Sequence, residues 1–361
     1  MKKAYLVLSN GKVFEGKRFG ADAPALGELV FTTGVVGYTQ TLTDPTYYGQ
    51  IVLQTFPLIG NYGVIEEDLS GAPVVSGYVV REWCDTPSNF RCQYDLDKYL
   101  KDNNIPGIYG VDTREVTRTI REDGVMGAMI CDEIPADLTA LKEYTVTNAL
   151  AAVATGKSEV IPTDTVEVAK VTVIDYGSKG NTVTELTSKG CTVTVLPYTA
   201  TAEEVLATTP DGILLTDGPG DPTENTTVIT ELKKLIGKKP IFGISLGHQL
   251  LAIAMGGETV KLKYGNRGGN QPVKDLFGRR TYITSQNHGY AVVADSLKEV
   301  GTEIFRNVND GTCEGMNYPA DNAFSVQFHP QTANGPHDTS FLFDRFITNI
   351  LNAKNQKAGE C

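Results

Sequence analysis

Between residues 171 and 255, apolar strand-like runs and helix-like runs alternate without a break, and few architectures accommodate such a pattern. VTVIDYG, CTVTVLP, GILLTDG and PIFGIS read as strands, with NTVTELTSKG, TAEEVLAT, TTVITELKKLI and HQLLAIAM as the helices that follow them. This spacing predicts an α/β unit built on a mostly parallel sheet covered by helices on both faces. Ligands of such sheets bind beyond the carboxyl ends of the strands, and two segments with chemical content fall there: TDGPGDP (residues 216–222) and GISLGHQLLAIA (residues 243–254).

The second segment carries a G-x-S-x-G run between an apolar strand and an apolar helix. That arrangement holds its central residue on a sharp turn, exposed and next to backbone N–H groups, so Ser245 is the candidate nucleophile. The strand-like FSVQFHPQ ends on His329, the candidate general base. Gln331, two residues on in a locally extended stretch, points to the same side and stands in the place of the orienting third member. Gly218 and Gly220 flank Pro219 in a loop whose backbone can approach a ligand closely. Gln249, four residues past Ser245, shares its helix face, and YITSQNHGYAV supplies Asn287, His288, Gly289 and Tyr290 along a hairpin edge.

The first half is different in kind. AYLVLSNG, KVFEG, GELVFTTG, QIVLQTFP and VVSGYVV are short apolar strands separated by glycine turns, which predicts a β-rich domain. DTREVTRTIRE reads as a helix with Asp112 and Glu115 at capping-box spacing, and with Arg114, Arg118 and Arg121 on one solvated face. The polar, small-residue stretch around 151–169 reads as a linker. The expected organisation is a β-rich domain over 1–150, the linker over 151–169, the α/β domain over 170–352 and a disordered polar tail over 353–361.

Bulk properties narrow the partners. At 361 residues and 41% apolar content the chain is long enough for two cores. A net charge of −11 disfavours nucleic acid and anionic membrane surfaces. The six cysteines (84, 92, 131, 191, 313 and 361) form no C-x-x-C pair, so reduced thiols and no metal site are expected. The amino-terminal apolar run is too short for a signal peptide and no stretch reaches membrane-spanning length, which predicts a cytoplasmic protein. Neither a G-x-x-x-x-G-K-[ST] loop nor a G-x-G-x-x-G turn after a strand is present, so no nucleotide site is expected.

These motifs together resemble the small, glutamine-hydrolysing subunit family of carbamoyl-phosphate synthetases over nearly the whole chain. GPGDP, the GISLGHQ elbow, GGNQPV, QNHGYAV and the HP turn look like a class I glutamine amidotransferase domain, a type shared by many synthetases. GELVFTTGVVGYTQTLTDPTYYGQIV, PLIGNYG, SNFR, YLKDNNIPGI and DTREVTRTIRE look like the amino-terminal domain peculiar to the small subunit. The resemblance implies that an elbow thiol attacks the side-chain amide of L-glutamine, a histidine moves the proton, and a glutamate two residues later orients the histidine. It implies a large partner subunit that uses ATP and Mg to combine the ammonia with bicarbonate, for arginine and pyrimidine synthesis, and no cofactor in this chain. Carried over residue by residue, glutamine contacts are Thr46, Gly218, Gly220, Leu246, Gln249, Asn287, Gly289 and Tyr290.

Four positions depart from the family pattern. Thr46 stands for a serine and Asp217 for an asparagine, both mild changes. Ser245 stands for the cysteine and Gln331 for the glutamate, and these bear on the chemistry. A thiol can ionise before attack, whereas an alcohol must lose its proton during it. Neutralising the orienting acid of a serine protease costs roughly 10⁴ in rate, about 5 kcal/mol of barrier. The expectation is therefore an uncharged Ser245, His329, Gln331 trio that binds glutamine and hydrolyses it poorly. Two further readings are a non-catalytic scaffolding or glutamine-sensing subunit, and a serine hydrolase acting through the GISLG elbow.

Overall fold

The computed structural model describes residues 2–178, 181–331 and 335–359, which fall into two units, 1–149 and 150–361. The first is built on β1 (Lys3–Leu8), β2 (Val13–Gly20), β3 (Ala25–Thr32), β4 (Gln50–Gln54), β5 (Leu58–Ile59), β6 (Gly77–Val80), β7 (Glu82–Trp83), β8 (Pro106–Tyr109) and β9 (Met126–Cys131). Seven of these close into a barrel in the order β1-β2-β8-β6-β4-β3-β9, while β5 and β7 form a small parallel ribbon. Closure removes the free edges of these seven strands, the main hazard of a β-rich unit with such short strands. Val30, Val52, Tyr78 and Val80 from the barrel strands are buried with Leu96, Tyr99 and Leu100 of the helix Leu96–Asp102. In the helix Thr113–Asp123, the Asp112 carboxylate accepts from the Glu115 N–H at 3.1 Å, half of the expected capping box; the Glu115 carboxylate turns to Arg118 instead.

The second unit carries β10 (Glu159–Ile161), β11 (Ala169–Asp175), β12 (Cys191–Pro197), β13 (Gly212–Leu215), β14 (Ile241–Ile244), β15 (Thr259–Asp275), β16 (Thr281–Val292), β17 (Thr302–Asn307), β18 (Cys313–Tyr318) and β19 (Ala323–Val326). They make one ten-stranded sheet, β10-β12-β11-β13-β14-β19-β18-β16-β15-β17. The expected parallel arrangement is its centre, β12-β11-β13-β14-β19; the strands beyond β19 are antiparallel. β13, β14 and β19 are buried along their whole length because both faces of the sheet are covered. Successive residues alternate between two cores: Ile213, Leu215 and Ile241 pack with the helices Thr226–Leu235 and Leu246–Ala254, whereas Leu214, Phe242, Ile244 and Phe324 pack with the helix Phe341–Gly359.

The expected linker carries local structure and the expected disordered tail is corrected. The stretch 151–169 begins inside the helix Ala149–Val153 and contributes β10, which pairs antiparallel with β12. The tail expected beyond 352 continues the last helix to Gly359, with residues 360 and 361, and so Cys361, outside the described residues. Leu342, Phe343, Phe346 and Ile350 bury one face of that helix and supply its nucleus, after which Ala, Lys and Gln propagate it cheaply. Lys354 reaches Asp211 at 2.9 Å.

The antiparallel end holds a buried acid. Glu314 on β18 is fully buried and accepts from Gln286 of β16 at 3.0 Å and from Asn307 of β17 at 3.2 Å. Burial pushes its carboxyl up to about 8, with Asp310 adding to the rise and the amide donors opposing it.

Two predictions follow from this packing. Phe242 stacks on Phe324 at 4.4 Å and meets Phe343 and Phe346 edge-on or tilted at 5.7 Å, so Phe242→Ala should cost about 3–5 kcal/mol of unfolding free energy in urea titration. Glu314 keeps its proton in the folded chain to a higher pH than in the unfolded one, so its contribution to stability falls as pH rises through the window from about 4.5 to 8. Glu314→Gln should flatten the wild-type decline across that window, by at most about 1.4 kcal/mol per pH unit, in urea titrations run at several pH values. Parallel slopes in the two proteins would show that Glu314 titrates normally.

Candidate active site

Ser245 follows β14 and has φ 52° and ψ −106°, a left-handed conformation that costs a non-glycine residue on the order of 1–3 kcal/mol. The flanking glycines explain why the strain is held. A Cβ at Gly247 would lie 2.4 Å from the Leu215 carbonyl oxygen, and one at Gly243 2.8 Å from the Gly247 oxygen, so strand and helix approach closer than any side chain allows. Two hydrogen bonds pin the turn: the Ser245 N–H donates to Val326 at 2.8 Å and the Gly247 N–H to Thr216 at 3.0 Å. The Ser245 hydroxyl makes no helix-capping hydrogen bond and sits at the amino end of the helix Leu246–Ala254, where backbone N–H groups favour a developing negative charge.

Three neighbouring parallel strands deliver the rest. Asp217 lies just beyond β13, Ser245 just beyond β14 and His329 three residues beyond β19, in sheet order β13-β14-β19. The His329 N–H bonds to the Ser285 carbonyl at 2.9 Å, and its side chain is 3% exposed. Its Nδ1 lies 3.4 Å from Oδ2 of Asp217, so imidazole and carboxyl meet from the strands on either side of the one that ends in Ser245. Neither ring nitrogen makes a hydrogen bond among the described residues, so the 3.4 Å approach to Asp217 is a close contact rather than a formed hydrogen bond.

Gln331 is corrected here. Its amide Nε2 donates to Oδ1 of Asp217 at 3.3 Å and its Oε1 has no hydrogen-bond partner among the described residues, so it braces Asp217 rather than His329. The group beside the imidazole is a carboxyl, and the expectation of an uncharged trio overlooked it. Asp217 had drawn notice only as a mild departure in a glycine loop; what separates it from His329 in sequence is closed by the sheet order, which no local pattern reveals.

The other candidates take varied positions. Gly218 must stay small, since a Cβ there would lie 2.4 Å from the Tyr176 oxygen and 2.9 Å from the Leu246 side chain, placing the loop against the elbow. Gly220 has φ 92°, a conformation that favours glycine. The Gln249 NH₂ donates to the Tyr290 carbonyl at 2.9 Å and to Gln327 at 3.0 Å, tying the elbow helix to β16. Asn287, His288, Gly289 and Tyr290 all lie on β16, inside the sheet between β15 and β18 rather than at an edge. Burial pushes His288 down to about 4, its Nδ1 lying 2.8 Å from the Tyr290 carbonyl. His248 is likewise pushed down to about 3 by burial and meets Ser325 at 2.7 Å, so neither ring is a base near neutrality. Thr46 belongs to the first unit, in a single 3₁₀ turn, with its N–H and hydroxyl both bound to Asp44.

Among the described residues no cluster of three or more metal-ligating side chains occurs, and no helix is long and apolar enough to cross a membrane. Residues 6–130 match the family model for the carbamoyl-phosphate synthase small chain CPSase domain, and residues 172–349 match glutamine amidotransferase class-I. The chain is 48% identical to the carbamoyl phosphate synthase small chain of Fusobacterium nucleatum, over 98% of this chain and 99% of that one. It is 48% identical to the corresponding chain of Clostridium perfringens, over 97% and 100%, and 45% identical to that of Oceanobacillus iheyensis, over 100% and 99%. With a barrel unit, an elbow unit and relatives matched end to end, this chain belongs to the carbamoyl-phosphate synthase small chain family and carries a class I glutamine amidotransferase domain.

Proposed function

We propose that the chain binds L-glutamine over the Ser245 elbow and delivers its amide nitrogen as ammonia to a large synthetase subunit. That partner uses ATP and Mg to form carbamoyl phosphate for arginine and pyrimidine synthesis in the cytoplasm. The observation that carries this reading is the strained Ser245 turn, flanked in the sheet by the strands that lead to Asp217 and His329. Gly218, Gly220, Leu246, Gln249, Asn287, Gly289 and Tyr290 are the residues we assign to glutamine in this unit. The oxygen of Gln249 suits the substrate's ammonium or amide hydrogens, because its own NH₂ is already engaged.

Hydrolysis is proposed to be slow. A thiol at position 245 could be deprotonated before the substrate arrives, so that attack needs no proton transfer; the serine hydroxyl must give up its proton as the bond forms. Proton transfer to a positioned base contributes roughly 10²–10⁴ in rate, and any misplacement of His329 is therefore felt in full.

Two measurements test the reading on the complex with its large subunit. Calorimetry should show glutamine binding to the wild type and to Ser245→Cys with similar affinity, since the two side chains nearly share a shape. Ammonia release should be faster in Ser245→Cys by on the order of 100-fold. Absence of any heat on glutamine addition would reject the binding claim, and equal turnover in the two proteins would reject the impairment claim.

A further inference from the structure

The two departures from the family pattern that surround His329 are in contact with each other. Where the resemblance implies a glutamate at 331 and an asparagine at 217, this chain carries Gln331 and Asp217, and their side chains meet at 3.3 Å. The pair still holds one carboxyl and one carboxamide; the two groups have exchanged places. Asp217 is fully buried, Gln331 is 5% exposed, and the carboxyl oxygen not used by Gln331 lies 3.4 Å from His329 Nδ1.

We propose that Asp217 is the positioning acid of His329, so that Ser245, His329 and Asp217 form a serine-type triad that cleaves glutamine through a γ-glutamyl ester. This rests on the glutamine reading above and specifies how that site acts. Asp217 holds the imidazole with its Nδ1 side toward the carboxyl, which leaves Nε2 as the base, and it stabilises the imidazolium when that forms. The Ser245 Oγ–H proton passes to Nε2 as Oγ bonds to the amide carbon of glutamine. The C–N bond then breaks, and the departing nitrogen takes the proton from the imidazolium to leave as ammonia. Water next gives one proton to the imidazole while its oxygen bonds to the acyl carbon; the ester C–O bond breaks, Oγ recovers the proton, and glutamate leaves.

Gln331 has a defined part in this scheme. Its NH₂ occupies Oδ1 of Asp217, so only Oδ2 remains for the ring, and the carboxyl is fixed rather than free to rotate. A buried carboxyl with neither contact would be costly to keep charged.

The test uses the complex with its large subunit in four forms: wild type, Ser245→Ala, Asp217→Asn, and the exchange variant Asp217→Asn with Gln331→Glu. Asparagine matches aspartate in shape, and the exchange variant contains the same two functional groups as the wild type, which guards against simple misfolding. Each is scored for glutamine affinity by calorimetry, for single-turnover ammonia release, and for the rate at which 6-diazo-5-oxo-L-norleucine labels the Ser245 peptide. Asp217→Asn is expected to bind glutamine as the wild type does while losing roughly 10³-fold or more in ammonia release and labelling. The exchange variant is expected to recover to within about tenfold of the wild type, which a merely structural role for Asp217 would not produce. Ser245→Ala should abolish labelling and release.

Wild-type rates in Asp217→Asn, or an exchange variant no faster than Asp217→Asn, overturn the triad. A wild type that binds glutamine yet neither releases ammonia nor takes the label overturns it too, while leaving the binding site intact. A wild type that takes the label but shows no heat with glutamine overturns the glutamine reading instead.

Discussion

The backbone approach of β14 and its following helix governs everything else in the second unit. A Cβ at Gly243 of β14 would meet the Gly247 backbone, one at Gly247 would meet the Leu215 carbonyl of β13, and Ser245 between them takes a positive φ. The strain is offset by hydrogen bonds to both neighbouring strands, one received by Thr216 and one by Val326. Because those same strands lead to Asp217 and His329, the forces that hold the turn also set the spacing of the reacting groups. A change that relaxed the turn would therefore move the hydroxyl and the two loops together.

Polar groups inside this unit are arranged by the same economy. The amino end of the elbow helix is fixed through Gly247, and its second turn is fixed through Gln249, which bonds across to β16 and to Gln327. His288 then joins β16 to itself through the Tyr290 carbonyl, and Gln286 carries the connection on to Glu314. Two buried histidines held neutral by their surroundings serve as hydrogen-bonding parts rather than bases. His329 is set apart from them because its ring faces a carboxyl instead of a carbonyl or hydroxyl.

The strands and helices of the second unit were legible because each is a short apolar run with a consistent period, and the elbow because its two glycines stand at fixed spacing around Ser245. The barrel strands were equally plain as apolar runs, though their closure, which needs non-sequential pairings such as β2 with β8, was not. Two polar stretches concealed local structure for one reason: residues 151–169 and 353–359 look unstructured alone, and gain their form from pairing with β12 or from the apolar face of a helix already docked. The contact of Asp217 with His329 escaped because it depends on which strands become neighbours.

Substitutions that touch cannot be weighed one at a time. Taken singly, Gln331 removes an acid from the base and Asp217 adds a buried charge with no purpose, and each would be scored as a loss. In contact, the amide of Gln331 donates to Asp217, and Asp217 keeps a carboxyl beside His329. On the proposed triad, the histidine then has its acid on a different loop. A serine hydroxyl gains more than a thiolate does from a base whose cation is stabilised, because its proton moves during the attack itself. An acid beside His329 is therefore worth more with serine at 245 than with cysteine there, which makes the three changes at 217, 245 and 331 physically coupled.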